Sequence, residues 1–331
     1  MNTSGIIGHK RQLDILNLLI WNKTIPHTML FAGTDGIGKK LIARRFLSSL
    51  FCTDKEPPCL RCPSCLQAAG GTFPDIIELA PNEKGTIPIG DADAGEEGSV
   101  RWLIDRLSKR SLTGRYGVLI DAAESISIPG QNALLKTIEE PQAGAHIIII
   151  ASNKSLILPT IQSRSMELPF SPLGCDEVKE VLTRGPGSID PDLIAALAGG
   201  SVGIALLLSQ GSMLENIAGI CREITLHLTS GAALHLDFSA IQKKVGMDHL
   251  LVVLINMYRT ILLSSIKNIP LHSYLSGLHI ADRQKLTKLI KILLALKKGL
   301  ANNLNIRNAL KGMLYAIDAY DGFGLPKLDL T

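Results

Sequence analysis

Thr28-Met29-Leu30-Phe31-Ala32-Gly33 runs directly into Thr34-Asp35-Gly36-Ile37-Gly38-Lys39-Lys40. The first stretch is a short apolar run closed by glycine, which reads as a buried strand before a tight turn. Leu41, Ile42, Arg45, Phe46 and Ser49 follow at helical spacing, so the order is strand, glycine-rich turn, helix. From Gly33 onward the residues fit a phosphate-binding loop at every position but the last. Its glycines let successive backbone N–H groups converge on phosphate oxygens, the helix start adds positive potential, and Lys39 reaches the outer phosphates. The last position calls for a serine or threonine hydroxyl to ligate magnesium, and this chain has Lys40. An ammonium cannot bind a cation and takes its place. Gly33, Gly38 and Lys39 are therefore candidate cofactor-binding residues of a degenerate loop that should hold magnesium nucleotide weakly or not at all. Lys39 also reads simply as a lysine at a helix start.

Outward from this loop, short apolar runs at Asp75–Leu79, Gly117–Asp121 and His146–Ala151 alternate with helical patterns, as in a parallel sheet covered by helices. The first half is α/β. Val118-Leu119-Ile120-Asp121 ends like a metal-facing strand, but Ala122 stands where a glutamate would polarise an attacking water. Glu124 is the nearest carboxylate, and its offset of two residues should turn it away. Asp121 reads either as a helix cap or turn residue or as a vestige of a metal site. Loss of both the hydroxyl and the base describes a nucleotidase-like fold without turnover.

The 331 residues exceed one ordinary core, so two or three domains are expected. With 46% hydrophobic and 19% charged residues the chain is globular, and 16 prolines and 30 glycines are too few for a low-complexity chain. Aromatic residues make up only 4%, which excludes a single-strand binder built on stacked rings, and a net charge of +4 permits contact with nucleic acid without requiring it. Residues 1–10 lack the features of a secretory signal. Ile147–Ala151 is too short to span a bilayer, and Leu250–Leu263 is interrupted by Asn256 and Arg259, so a soluble cytoplasmic protein is expected. After Phe170 the texture becomes helical: Asp176–Leu182 and Pro191–Leu208 read as helices, and Leu286, Leu289, Ile290, Leu293 and Leu294 form one apolar helix face opposite Lys285, Lys288 and Lys291. The expected division is an α/β domain over 1–168, a small helical domain over 169–210 and a helical bundle over 211–331.

Cys52, Cys59, Cys62 and Cys65 form a Cys-x6-Cys-x2-Cys-x2-Cys array stiffened by Pro57, Pro58 and Pro63. Four thiolates so spaced can close a tetrahedron around zinc at Zn–S distances of ~2.3 Å, leaving no open position for catalysis. A structural zinc pinning an insertion is expected, over unliganded thiols on a loop. Cys175 and Cys221 are isolated and read as structural. Arg101, Arg106, Lys109, Arg110 and Arg115 surround Trp102 and Leu103, and the plain reading is a solvated helix face.

Asn132-Ala133-Leu134-Leu135-Lys136-Thr137-Ile138-Glu139-Glu140-Pro141 resembles a ten-residue helix motif of the AAA+ clamp-loader family. The cysteine insertion after the loop helix is similar to the zinc module of the bacterial gamma/tau and delta-prime members of that family. Ser163-Arg164-Ser165 resembles their Ser-Arg-Cys motif, with serine in place of the cysteine. Asn303-Leu304-Asn305 with Ala309-Leu310 is similar to their collar helix, so the likeness extends over essentially the whole chain. The departures at Lys40 and Ala122, and Val202-Gly203-Ile204 where an arginine would be expected after Gly199-Gly200-Ser201, resemble the delta-prime pattern of a member that keeps fold, zinc and arginine but not turnover.

The resemblance implies an AAA+ phosphate-loop domain with a zinc insertion at about 52–65, a helical lid and an all-helical collar. It implies a stator of the DNA polymerase III clamp loader, with gamma/tau and delta subunits as ring partners and the sliding clamp and primed DNA met through the complex. Arg164 becomes the candidate arginine finger acting in trans, although spacing alone makes it a surface arginine paired with Glu167. The basic stretch gains a second reading as a salt-sensitive phosphate-backbone contact. Two other readings stay open: an active ATPase of the gamma/tau kind, and an independent zinc-dependent DNA-binding protein.

Overall fold

Runs of apolar residues with no polar alternation cannot leave either face in water, and here they pair with one another. β1 (Thr28–Ala32), β2 (Ile76–Leu79), β3 (Tyr116–Ile120), β4 (Ala145–Ala151) and β5 (Met166–Pro169) form a parallel sheet in the order β2-β3-β4-β1-β5. Every residue of β1 and β3 is buried, and so is every residue of β4 except His146, as expected when helices cover both faces. Leu30 sits opposite Ile149 and Leu119 opposite Ile148. The edge strand β5 carries one buried residue, Leu168, which is why Met-Glu-Leu-Pro gives no strand signal in the sequence.

The computed structural model describes residues 2–91, 96–185, 190–210, 212–233, 246–267, 272–275, 278, 280, 282–299, 306–315 and 317. It divides into two compact units, Met1–Pro172 and Leu173–Thr331. In the first, α1 (Lys10–Trp21), α2 (Lys39–Phe51), α3 (Pro63–Ala69), α4 (Val100–Ser108), α5 (Ile128–Glu139) and α6 (Pro159–Gln162) surround the sheet. Helix α2 buries Ile42, Ala43, Phe46, Leu47 and Leu50. It approaches β3 closely at Gly117, where an added Cβ would lie 3.2 Å from both the Leu47 and Phe51 side chains.

The second unit is helical: α7 (Cys175–Arg184), α8 (Pro191–Leu197), α9 (Val202–Leu208), α10 (Ser212–Ser230), α11 (Met247–Lys267), α12 (Arg283–Gly299) and α13 (Ile306–Tyr315). The apolar run Pro191–Leu208 is split at Gly199 and Gly200, whose φ values of +60° and +82° are left-handed, and Ser201 then caps α9 through the Ile204 N–H. On α12 the buried stripe is Leu286, Leu289, Ile292, Leu293 and Leu296, while Leu294 is 44% exposed. At roughly 100° per residue Leu294 points away from the stripe and Ile292 lies inside it, which corrects the face expected from sequence. Helix α11 is the one helix among the described residues long and apolar enough to cross a membrane. Its Leu250, Leu251, Val253, Leu254, Met257, Tyr258 and Ile261 are buried within the unit. Asn256 Nδ2 donates to the Leu197 carbonyl and Tyr258 Oη to that of Cys221, both at 3.0 Å, the pattern of a core helix. Asn303-Leu304-Asn305 lies outside the described residues.

Asp75, fully buried just before β2, accepts hydrogen bonds from the N–H groups of Leu112 and Thr113 at 3.1 and 2.7 Å and from Thr113 Oγ1 at 2.7 Å. It thereby pins the loop between α4 and β3. Asp75→Ala leaves those donors unpaired and should cost about 2 kcal/mol in urea unfolding of the first unit; an unchanged midpoint would show that water replaces the carboxylate.

Candidate functional site

The turn after β1 is built around a close backbone approach. A Cβ on Gly33 would lie 2.2 Å from the Phe170 carbonyl oxygen, so only glycine fits. Gly36 and Gly38 have φ of 72° and 99°, in the left-handed region that glycine adopts freely. His9 Nε2 donates to the Ile37 carbonyl at 2.8 Å, and its ring packs edge-on against Phe170. Lys39 does not point outward. Only 4% exposed, it donates through Nζ to the carbonyls of Gly33 at 2.5 Å and Thr34 at 2.6 Å. Burial holds its pKa below the ordinary value, against the opposing pull of Asp35, Glu124 and Asp121. The lysine that would reach a phosphate is thus spent on its own loop.

The next residue explains the rest of the crevice. Lys40 Nζ pairs with Glu78 on β2 and with Asp121 Oδ2 at 3.0 Å, just beyond β3. One helical turn later Arg44 joins the same Glu78, with Nε at 2.9 Å and Nη2 at 2.6 Å from Oε2. Burial alone would lower the Lys40 pKa, but its hydrogen bonds to Glu78 and Asp121 raise it above the ordinary value. In the same way burial would raise Glu78, and Lys40 and Arg44 bring it below its usual range. Two carboxylates at the carboxyl ends of adjacent strands therefore converge on an ammonium. Asp121 is neither a helix cap nor a turn residue alone; it is the ion-pair partner of Lys40. Its sequence signal was clear, whereas that of Glu78, a lone carboxylate within Ile-Ile-Glu-Leu, was missed.

Glu124 departs from expectation. Ala122 adopts φ 47°, a conformation that costs a non-glycine residue energy, and Ala123–Ser125 then form a single tight turn. Glu124 Oε1 instead accepts from the N–H of Ser152 at 2.9 Å and from its hydroxyl, at the end of β4. Its charge acts on Lys39, and its Oε2 is buried without a hydrogen-bond partner. The crevice thus holds a carboxylate that the sequence seemed to turn away.

The four clustered cysteines come together between α2 and α3. Their Sγ atoms all lie within 4.8 Å of one another, close to the S···S separation of ~3.8 Å that a tetrahedron of 2.3 Å bonds needs. Backbone N–H groups of Cys59, Cys62 and Cys65 point at the sulfurs of Cys52, Cys59 and Cys62 at 3.3–3.5 Å, the environment that favours thiolates. The backbone N–H of Arg61 leads in bringing the Cys59 thiol down to about 6, while burial pushes Cys65 up to about 12. The donor set fits a metal ion. Of the isolated cysteines, both expected to be structural, Cys221 is buried beside Met257, whereas Cys175 is exposed at the start of α7.

Arg164 lies between α6 and β5, the edge strand opposite to the β2 edge that carries Glu78. It pairs through Nε with Glu139 Oε1 at 2.8 Å, not with Glu167, which Lys154 takes at 2.8 Å. Most of the basic stretch is tied down: Arg101 donates to the Gly90 carbonyl, Arg106 to Tyr116 Oη and the Pro74 carbonyl, Arg115 to the Leu50 carbonyl, and Lys109 pairs with Asp105.

Glu78 has a depressed pKa, so the stability it contributes is present above its ordinary value of 4.5 and is lost as pH falls through the folded value. Glu78→Gln should therefore be less stable than the parent at pH 7, with the gap closing below about pH 4.5. Urea midpoints across that range check it, and a constant gap would remove the ion pair as the cause.

Residues 8–174, half the chain, match the family described as "DNA polymerase III, delta subunit". The gamma/tau subunit of DNA polymerase III from Mycobacterium bovis is 32% identical over 185 residues, 54% of this chain and 30% of that protein. The delta' subunit from Pseudomonas aeruginosa is 32% identical over 182 residues, 53% of this chain and 53% of that protein. The chain thus spans about half, or less, of the length of these relatives. The Thermotoga maritima RuvB Holliday junction branch migration motor aligns over 95% of this chain and 88% of its own, with a TM-score of 0.45 and 15% identity. Because the matched stretch takes in the glycine turn, Lys40, the cysteine cluster and Arg164, the chain belongs to the DNA polymerase III delta-subunit family, among the clamp-loader proteins.

Proposed function

We propose that this chain is a non-hydrolysing, delta-prime-like stator of the DNA polymerase III clamp loader, supporting ATP-driven loading of the sliding clamp on primed DNA. The observation that carries this reading is the Lys40 ammonium held between Glu78 and Asp121, where a nucleotide-bound magnesium would otherwise need the same carboxylates. Lys39, turned onto the carbonyls of Gly33 and Thr34, supports it further. The subunit then acts on a neighbour: Arg164, exposed at the end of α6, serves as the arginine finger for the ATP site of an adjacent gamma/tau subunit. A planar guanidinium grips phosphate oxygens in two places and neutralises charge that develops in phosphoryl transfer. Residues 169–210 form the lid and 211–331 the collar that joins gamma/tau and delta subunits into a ring in the cytoplasm.

In this reading Cys52, Cys59, Cys62 and Cys65 hold zinc. Bound by four thiolates, zinc supplies a closed structural cross-link and no open coordination position. The chain's own part is to fix the sulfurs through the turn after α2 and the N-terminus of α3.

A gamma/tau-like active ATPase is the second reading, favoured by Glu124 with its unpartnered buried oxygen. An independent DNA-binding protein fits less well, since most of the basic stretch is bonded within the chain.

Three outcomes are expected. The purified chain should contain about one zinc per molecule by elemental analysis, and Cys65→Ser should lose it and gain reactive thiols; a metal-free protein with a folded first unit would remove the zinc. The isolated chain should show no ATP turnover and no micromolar, magnesium-dependent ATP binding by calorimetry. In the reassembled complex Arg164→Ala should lower turnover by ~10³-fold or more without loss of assembly. Turnover by the isolated chain would favour the second reading, and an unaffected complex would remove the finger.

A further inference from the structure

Helix α5 fastens the segment that carries Arg164 at both ends. Near its start Gln131, 2% exposed, donates to the carbonyls of Ile126 and Leu156 at 3.1 and 3.0 Å and accepts the Leu158 N–H at 2.9 Å. At its end Glu139 Oε1 meets Arg164 Nε at 2.8 Å. Eight residues of helix rise ~12 Å, so α5 is a rigid spacer to which Leu158–Arg164 is attached twice. We propose that Glu139 is a positioning residue for the Arg164 guanidinium, fixing it by Nε so that its terminal nitrogens are presented to the phosphate of an adjacent subunit. This rests on the reading of Arg164 as a finger in trans.

The chemistry assigns each nitrogen a task. Nη1 donates to the Thr160 carbonyl at 3.1 Å and lies 3.4 Å from Ser163 Oγ, and Nε is taken by Glu139. The guanidinium plane is therefore set from one side. A bidentate grip on phosphate depends on that plane, and misplacement by an ångström costs a positioned group much of its effect. The pair does not lock the finger away. With side chains 41% and 43% exposed, such an ion pair shifts populations by only ~2–5-fold, too little to compete with a multiply charged phosphate. It narrows orientation through Nε while the side chain stays accessible to the phosphate.

The test uses the complex reassembled from the full chain with its gamma/tau and delta partners, with clamp and primed DNA present, and reads steady-state ATP turnover. Glu139→Ala should lower kcat about two- to fivefold, the population shift the pair supplies, while the KM for ATP stays within about twofold. Glu139→Gln, which keeps an acceptor oxygen, should fall between. Combined with Arg164→Ala, Glu139→Ala should cause no further loss, because it acts only through the arginine. Positioning is overturned if Glu139→Ala turns over at the parental rate while Arg164→Ala is slow, or if Glu139→Ala slows the Arg164→Ala complex by the same factor as the parent. Parental turnover in Arg164→Ala would instead remove the finger reading, and the positioning role with it. Should Glu139→Ala fail to assemble, the Gln variant, matched in size, decides in its place.

Discussion

Two carboxylates at the ends of neighbouring parallel strands repel each other unless positive charge stands between them. Here the charge is the Lys40 ammonium, reinforced at Glu78 by Arg44. That arrangement ties the first two turns of α2 to the carboxyl ends of β2 and β3, and it sets what the crevice can accept. In an ordinary phosphate loop the cation comes and goes with the nucleotide; here it is covalently part of the chain. Lys39, bonded to the carbonyls of Gly33 and Thr34, is likewise paired within the chain, and in the proposed stator these groups take the positions a nucleotide and its cation would fill.

Much of this was legible in the residues. β1, β3 and β4 are buried on both faces, so their apolar runs declared a parallel sheet, and the glycines at 33, 36 and 38 declared the turn. The cysteine array announced itself by spacing, and its sulfurs do converge. What escaped depended on backbone geometry or on contacts far apart in sequence. Glu124 was misread because a left-handed Ala122, which residue types alone do not foretell, redirects the chain after β3. The partner of Arg164 was misassigned because Glu139 lies 25 residues upstream and reaches it only through packing of α5 against α6, while Lys154 takes Glu167. β5 gave no signal because an edge strand needs only one buried side chain.

The two arginine-bearing parts of the molecule show opposite uses of the same side chain. Arg44 and Arg106 are spent inside the first unit, on Glu78 and on Tyr116 with Pro74, and cannot serve a partner without loss of local structure. Arg164 keeps terminal nitrogens at the surface, restrained but not consumed. In the proposed stator this separation lets one crevice be sealed while another subunit's is completed. The cysteine cluster lies on the opposite end of α2 from Lys40, so a metal there would brace the helix at the end that the ion pairs do not hold.

The self-bonded lysine of the turn after β1 also bears on heat. A protein whose pocket is held open for a ligand melts later when the ligand is supplied, because binding adds free energy to the native state alone. In the proposed reading, a lysine already bonded to the carbonyls of Gly33 and Thr34 leaves less of that gain to be had. For the proposed stator, the melting temperature would then stay nearly the same whether or not nucleotide is supplied, and the folded state would not depend on the cell's supply of fuel.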